Sequence, residues 1–162
     1  MKTLILMRHG KSSWDYSVED RDRPLKERGI ADAYRVATAF ADLNIKVDAA
    51  YSSPANRALH TCIIALETLH FPLEKLGINK QLYDFSGSGV LDFVRTLDDK
   101  NETVLIFGHN NAFTNFVNSL GSLPVDNVPT SGLVQLDFSV ERWEDIKKGV
   151  TQRTLFPKQL KK

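Results

Sequence analysis

A chain of 162 residues is the size of one domain and can bury roughly 70% of the surface its unfolded form exposes, enough for a substantial core. With 21 Lys and Arg against 20 Asp and Glu, the formal charge is +1, so no global field gathers nucleic acid or anionic lipid, and the basic residues that matter act locally. No stretch reaches the ~18 apolar residues of a membrane span, the first apolar run is too short for a signal peptide, and the lone Cys62 rules out an internal disulfide and argues against a cysteine-based zinc site; a cytoplasmic protein is expected.

Residues 3–7 are a continuous apolar run of strand length, closed by Gly10 and Ser12-Ser13, the pattern of a strand buried on both faces. Residues 15–24 are dense in charge and lack an apolar period. Ile30, Ala33, Tyr34, Ala37, Phe40 and Ala41 then recur at spacings of three and four and predict an amphipathic helix over 25–43. A short strand over 49–51 is followed by Ser53-Pro54, an N-cap with proline at the first helical position, which predicts a helix to about residue 69 with Arg57 in its first turn. Residues 71–81, interrupted by Pro72 and Gly77, are ambiguous between helix, strand and loop, and 82–89 read as a turn-rich loop before a helix over 90–97. Residues 103–107 are a second fully apolar strand, closed by Gly108 and followed by a helix over 111–120. Residues 133–138 alternate apolar and polar side chains, 137–149 form a polar connection, 150–156 a final edge strand, and 158–162 a frayed end. Strands alternating with helices along residues 1–162 predict a single α/β domain with a largely parallel sheet.

Three of the predicted elements share a feature. Arg8-His9-Gly10 follows the first apolar run, Arg57 follows the second, and Gly108-His109 follows the third. Parallel strands would bring all of them to one rim, and ligands of open α/β sheets bind outside the carboxyl ends of the strands. Two arginines and two histidines converging there make a site for an anion, most simply a phosphoryl group. A phosphoryl group in flight spreads negative charge over its equatorial oxygens, so its catalyst needs fixed cationic donors around an in-line nucleophile. Arg8 and Arg57 suit the first role, because a guanidinium stays charged and presents a planar fork of donors. His9 can be nucleophile or acid/base, His109 can donate from the opposite side, and Gly10 removes a side chain where backbone approaches the ligand.

The motifs extend well beyond these residues. Arg8-His9-Gly10-Lys11-Ser12-Ser13-Trp14-Asp15, Asp22-Arg23-Pro24-Leu25 with Glu27-Arg28-Gly29, Ser52-Ser53-Pro54 with Arg57-Ala58 and Thr61, Gly108-His109-Asn110, and Pro129-Thr130-Ser131-Gly132 follow one another along nearly the whole chain. Their order and spacing resemble the histidine phosphatase superfamily, also called phosphoglycerate mutase-like, and within it the small phosphohistidine phosphatase, SixA-like branch. The resemblance implies a three-layer α/β/α fold and a metal-independent phosphatase without a cofactor. His9 would be the nucleophile, phosphorylated and then hydrolysed, with Arg8, Arg57 and His109 forming a phosphate pocket to which Gly10 and Asn110 also contribute. It further implies phosphohistidine in a protein as substrate. A phosphomonoesterase for a small metabolite, and a phosphate-binding module without turnover, are the alternatives.

The match has departures. Asp15 stands where mutase-like members carry asparagine, so no binding role is carried over to it. Many members supply an acid for the leaving group from a loop in the middle of the chain, and Asp84 in Leu82-Tyr83-Asp84 is the nearest candidate. Other residues have plainer readings. His60, His70 and Cys62 read as structural. Gly87-Ser88-Gly89 lacks the Lys-Ser/Thr of a P-loop, and Thr68 stands where a cysteine phosphatase needs arginine. Asp20-Arg21-Asp22-Arg23 reads as a charged lip near the site or a solvated loop.

Overall fold

The computed structural model describes residues 1–161. Six strands make one mixed sheet: β1 (Lys2–Arg8), β2 (Ala49–Ser52), β3 (Leu76–Ile78), β4 (Thr103–Gly108), β5 (Leu133–Phe138) and β6 (Val150–Leu155), in the order β3-β2-β4-β1-β5-β6. The four strands from β3 to β1 pair in parallel, whereas β5 and β6 join antiparallel at one side. The helices are α1 (Glu27–Ala41), α2 (Asn56–Thr68), α3 (Ser88–Arg95), α4 (Ala112–Leu120) and α5 (Pro157–Leu160).

Alternation along the central strands supplies two cores. Leu4, Leu6, Val104 and Ile106 face Val90 and Phe93 of α3 and Phe113, Phe116 and Val117 of α4. Ile5, Met7, Leu105 and Phe107 face Ala33, Val36 and Phe40 of α1 and Cys62, Ile64 and Leu66 of α2. A strand with helices on both sides needs apolar residues at every position, which is why 3–7 and 103–107 read as unbroken apolar runs. The result is a three-layer α/β/α arrangement. Among the described residues, no helix is long and apolar enough to cross a membrane.

Register fixes the rim. Arg8 pairs with Gly108, and Ser52 with Phe107, so β1, β2 and β4 end within one residue of each other. Backbone pairing continues one step further: His9 N donates to Gly108 O at 3.1 Å, and Ser53 N to Phe107 O at 3.0 Å. From the antiparallel side, Arg8 N donates to Gly132 O and Ser131 N to His9 O, at 2.9 and 3.0 Å. His9 is thus held by backbone bonds to its neighbours on both sides.

Four expectations change. Ser53 does not cap α2, which starts three residues later after Ala55; Arg57 still falls in the first turn. The undecided stretch 71–81 holds the edge strand β3, whose three residues are too few to show a period, between two 3-10 turns. The polar connection 137–149 carries Trp143, fully buried, with its indole N–H donating to Asn101 O at 2.8 Å. The expected frayed end instead forms α5, started by the buried Pro157 and held by Phe156 N donating to the Gln159 side chain at 3.0 Å; Lys162 lies outside the described residues.

Trp143 fills the core between α3 and the sheet, so Trp143→Ala should lower stability by about 3–5 kcal/mol in urea denaturation. A loss below about 1 kcal/mol would show that this segment is not part of the core.

Candidate active site

At the rim, Arg8, His9, Asp20, Arg23, Arg57 and Asn110 line a cavity of about 310 Å³. A larger hollow, about 780 Å³, lies near the opposite end of the strands around Asp48, His70 and Asn101, away from these residues. The ring of His109 lies 5.3 Å from that of His9, centroid to centroid, and is itself fully buried. Parallel pairing therefore brings together the four residues that the sequence placed on three separate strand ends.

Each is oriented by its own partners. His9 is held by a 2.7 Å contact from Nδ1 to Gly10 O. A carbonyl oxygen only accepts, so Nδ1 carries the proton and Nε2 keeps its lone pair. Nε2 of His109 lies 2.8 Å from Ser53 Oγ, which already accepts the Ala55 N–H. Among the described residues the Ser53 hydroxyl has no other acceptor, so its proton goes to Nε2 and Nδ1 of His109 carries the ring proton as a donor. Arg8 donates from Nη1 to Val128 O at 2.8 Å. Arg57, also buried, donates from Nη1 to Asp20 O at 2.6 Å and from Nη2 to Asp20 Oδ2 at 3.0 Å.

What remains unmade is informative. Among the described residues, the buried side-chain polar atoms without a partner are Arg8 Nε, Arg57 Nε, His109 Nδ1 and Ser131 Oγ. Native structures leave few such atoms, because each forfeits the solvation it lost on burial. Here Arg8, His109 and Ser131 lie at or next to strand ends, and Arg57 lies in the first turn of α2. Three are N–H donors, and two of these, on Arg8 and Arg57, belong to side chains that line the cavity.

The electrostatics agree. His9 is pulled down to about 3 by burial first; the Gly10 carbonyl opposes this, and the charges of Arg8, Arg57 and Arg23 add to it. His109 also falls to about 3, again by burial first, then by His9 and Arg57, with Asp20 pulling the other way. Burial, then Arg57, lowers Arg8. Burial works against ionising Asp20, but hydrogen bonds from Tyr83 and Arg57 and the nearby guanidiniums hold it down to about 2. Both rings are neutral at physiological pH, and the site holds more positive charge than it neutralises. Among the described residues, no group of three or more His, Cys, Asp or Glu side chains could hold a metal ion.

Not every expected residue reaches the cavity. Asp84 is corrected: its carboxylate accepts from Ser86 N, Gly87 N and Val90 N at 2.9–3.0 Å, capping the start of α3. Burial opposes its ionisation, but these amides and the Ser86 hydroxyl lower its pKa, so it holds no proton to donate. Gly10 is explained differently from the expectation. A Cβ there would lie 2.7 Å from Gly29 O, so the close approach is to α1, and its own N–H goes to Thr61 Oγ1 at 2.9 Å. Asn110 lines the cavity, but its side chain is occupied: Oδ1 accepts from Thr114 N and Oγ1, and Nδ2 donates to Asn127 Oδ1 at 2.7 Å. The Asp15 carboxylate is exposed and does not line the cavity.

Asp20 and Arg23 are the main additions. The charged lip is real, and it closes on Arg57. Arg23 donates to Ser12 Oγ at 2.6 Å and to Asp20 Oδ1 at 3.3 Å, while its guanidinium stacks 3.2 Å over the Trp14 ring. Tyr83 donates its hydroxyl to Asp20 Oδ2 and packs its ring 5.1 Å from that of His109. Arg23-Pro24-Leu25 within the motif run was the signal for Arg23; a charge-rich loop gave none for which carboxylate turns inward.

Comparison with known proteins finds a family match for part of the chain and shared folds for nearly all of it. The model for the histidine phosphatase superfamily (branch 1) matches residues 4–82. A 2,3-bisphosphoglycerate-dependent phosphoglycerate mutase of Rhizobium meliloti is 40% identical over 70 residues, covering 41% of this chain and 33% of the mutase. An uncharacterized protein of Mycobacterium tuberculosis is 29% identical over 154 residues, 88% of this chain and 93% of that one. The structure of the protein histidine phosphatase SixA complexed with tungstate has the same fold, with a TM-score of 0.82 at 21% identity over 98% of this chain and 99% of that one. This family match covers just under half of the chain, the part that carries Arg8, His9, Asp20, Arg23 and Arg57, and the chain resembles the histidine phosphatase superfamily there. The chain spans between a third and a half of the length of the mutases it matches.

The two depressed histidines set an acid limit on stability. Their ordinary value is 6.5 and their folded value about 3, so between these the unfolded chain binds more protons than the folded one. Stability is full above the window and falls as pH drops through it, by up to about 1.4 kcal/mol per pH unit for each histidine. Denaturant midpoints between pH 7 and 5 should fall less steeply in His109→Gln than in the parent chain; equal slopes would contradict the burial of a neutral ring.

Proposed function

We propose that the chain is a phosphatase that works through a phosphohistidine intermediate on His9 and removes phosphate from phosphohistidine in a protein. The observation that carries this is the set of unpartnered buried donors around a histidine whose Nε2 lone pair is free. Arg8 and Arg57 take the phosphoryl oxygens through the N–H groups left open, and His109 donates through Nδ1. Charge compensation comes from these side chains, so the reaction needs no metal.

The chemistry follows from the orientation of His9. Nε2 attacks phosphorus in line, a new N–P bond forms, and the bond to the leaving group breaks with its electron pair departing on that group. His9 becomes a phosphorylated imidazolium, whose Nδ1–H is stabilised by the Gly10 carbonyl. Water then forms the O–P bond, the pair in the P–N bond returns to Nε2, and phosphate and a proton are released. The positive ring makes His9 a good leaving group in this second step.

Leaving-group chemistry supports a nitrogen substrate. An alkoxide needs a proton as it departs, and Asp84, the carboxyl expected to supply it, is an ionised helix cap. Imidazole departs without that help once its distal nitrogen is protonated. The cavity is a hollow of about 310 Å³ that opens at the sheet rim. A phosphorylated side chain on a protein surface fits such an opening.

The test uses a phosphohistidine-bearing protein and p-nitrophenyl phosphate, with chelator present. Wild-type protein should hydrolyse both, favour the phosphoprotein at least about tenfold in kcat/KM, and yield an acid-labile phosphate on His9 by mass spectrometry after rapid quench. His9→Ala should lose at least about 1,000-fold in kcat. Full turnover by His9→Ala would overturn the nucleophile, and a preference for a small phosphate ester would overturn the substrate.

A further inference from the structure

We propose that Asp20 is a specificity-determining residue: its carboxylate accepts the distal N–H of a phosphorylated imidazole and so favours N-phosphorylated imidazoles over O-phosphate esters. The inference rests on the function proposed above and narrows it to a named side chain.

Asp20 is the one carboxylate lining the cavity among the described residues. Its side chain is 46% exposed, so one side is held by protein and the other is open to a ligand. The held side is crowded with donors. Oδ2 accepts from Arg57 Nη2 at 3.0 Å and from the Tyr83 hydroxyl, and Oδ1 accepts only from Arg23 Nη1 at 3.3 Å. A carboxylate offers about four acceptor positions, so Oδ1 keeps one for a further N–H. The donors also fix the group in place, which lets it discriminate without first being ordered.

Its position suits the leaving group. The carboxylate is carried by the 3-10 turn Asp20–Asp22 on the lip, outside the strand ends that hold His9. Attack by His9 Nε2 drives the leaving group to the side of phosphorus away from His9, toward the lip. There a phosphoimidazolium presents a proton on its distal nitrogen. As the P–N bond breaks, its electron pair stays on the proximal nitrogen, the distal proton remains in place, and neutral imidazole departs. A carboxylate facing that proton stabilises the reactive, protonated substrate. The same carboxylate faces an ester's departing oxygen with negative charge against negative charge and has no proton to give.

Asp20 also holds Arg57, so a variant that merely disturbs the phosphate pocket must be told apart from one that alters selectivity. N-phosphoimidazole and p-nitrophenyl phosphate share the phosphoryl group and differ in the leaving group, so their ratio separates the two effects. In Asp20→Asn, kcat/KM for N-phosphoimidazole should fall at least about tenfold more than for p-nitrophenyl phosphate. Equal losses on both substrates would overturn the inference and leave Asp20 as a support for Arg57. Tyr83→Phe, which keeps the charge of Asp20 and removes one of its donors, should move the ratio by less than Asp20→Asn; a larger shift would also contradict it. If the parent chain hydrolyses both substrates but the ratio is unchanged in Asp20→Asn, the inference alone fails. If the parent chain hydrolyses neither, the proposed function fails with it.

Discussion

Parallel pairing of β1 with β4 is the constraint on which the site depends. With Arg8 level with Gly108, the next residue on each strand is a histidine, and both leave the sheet at the same height. The antiparallel pair β5 and β6 then closes the other side of β1, and the segment leading into β5 brings Ser131 to the backbone of His9. A slip of one residue in either register would turn the buried residues of these strands toward the opposite core and carry His9 off the rim. The apolar cores on the two faces therefore specify the site as well as the fold.

Burying two guanidiniums and two imidazoles at one point has a cost, and the molecule meets it in two ways. The imidazoles give up their charge, which burial and the arginines both favour. The guanidiniums keep theirs and receive Val128 O and Asp20, but each retains an Nε–H with nothing to bond. A site that leaves donors unsatisfied in the resting state recovers that cost when an anion arrives. Asp20 makes the balance bearable without filling the pocket, since it meets Arg57 from the lip. The lip is in turn pinned by Arg23, which ties it to Ser12, Ser13 and the Trp14 ring.

Much of this was legible in the sequence, for physical reasons. Strands buried on both faces leave an unmistakable apolar run, so β1 and β4 and the basic residues after them could be read directly. The amphipathic period of α1 was equally plain. The edge strand β3 was not, because three residues at a sheet border carry no period and Gly77 is there for the Tyr51 ring, 2.5 Å from where its Cβ would lie. Trp143 was hidden in a polar stretch, since its burial depends on contacts with residues distant in the chain. Asp84 shows the same limit at the site. Its place in the sequence suits an acid, but only the fold reveals that its oxygens face the amides of α3. Asp20 is the converse case, a carboxylate in a solvated-looking loop that turns inward because Arg57, Arg23 and Tyr83 wait there.

The central claim is that the unpartnered donors and His9 together hold one tetrahedral oxyanion. A crystal structure of the chain with bound tungstate tests this most directly. The account predicts a single ion in line with His9 Nε2, with oxygens within hydrogen-bond distance of Arg8 Nε, Arg57 Nε and His109 Nδ1. A tungstate bound elsewhere, or contacting the arginines while His9 Nε2 points away from it, would contradict the account.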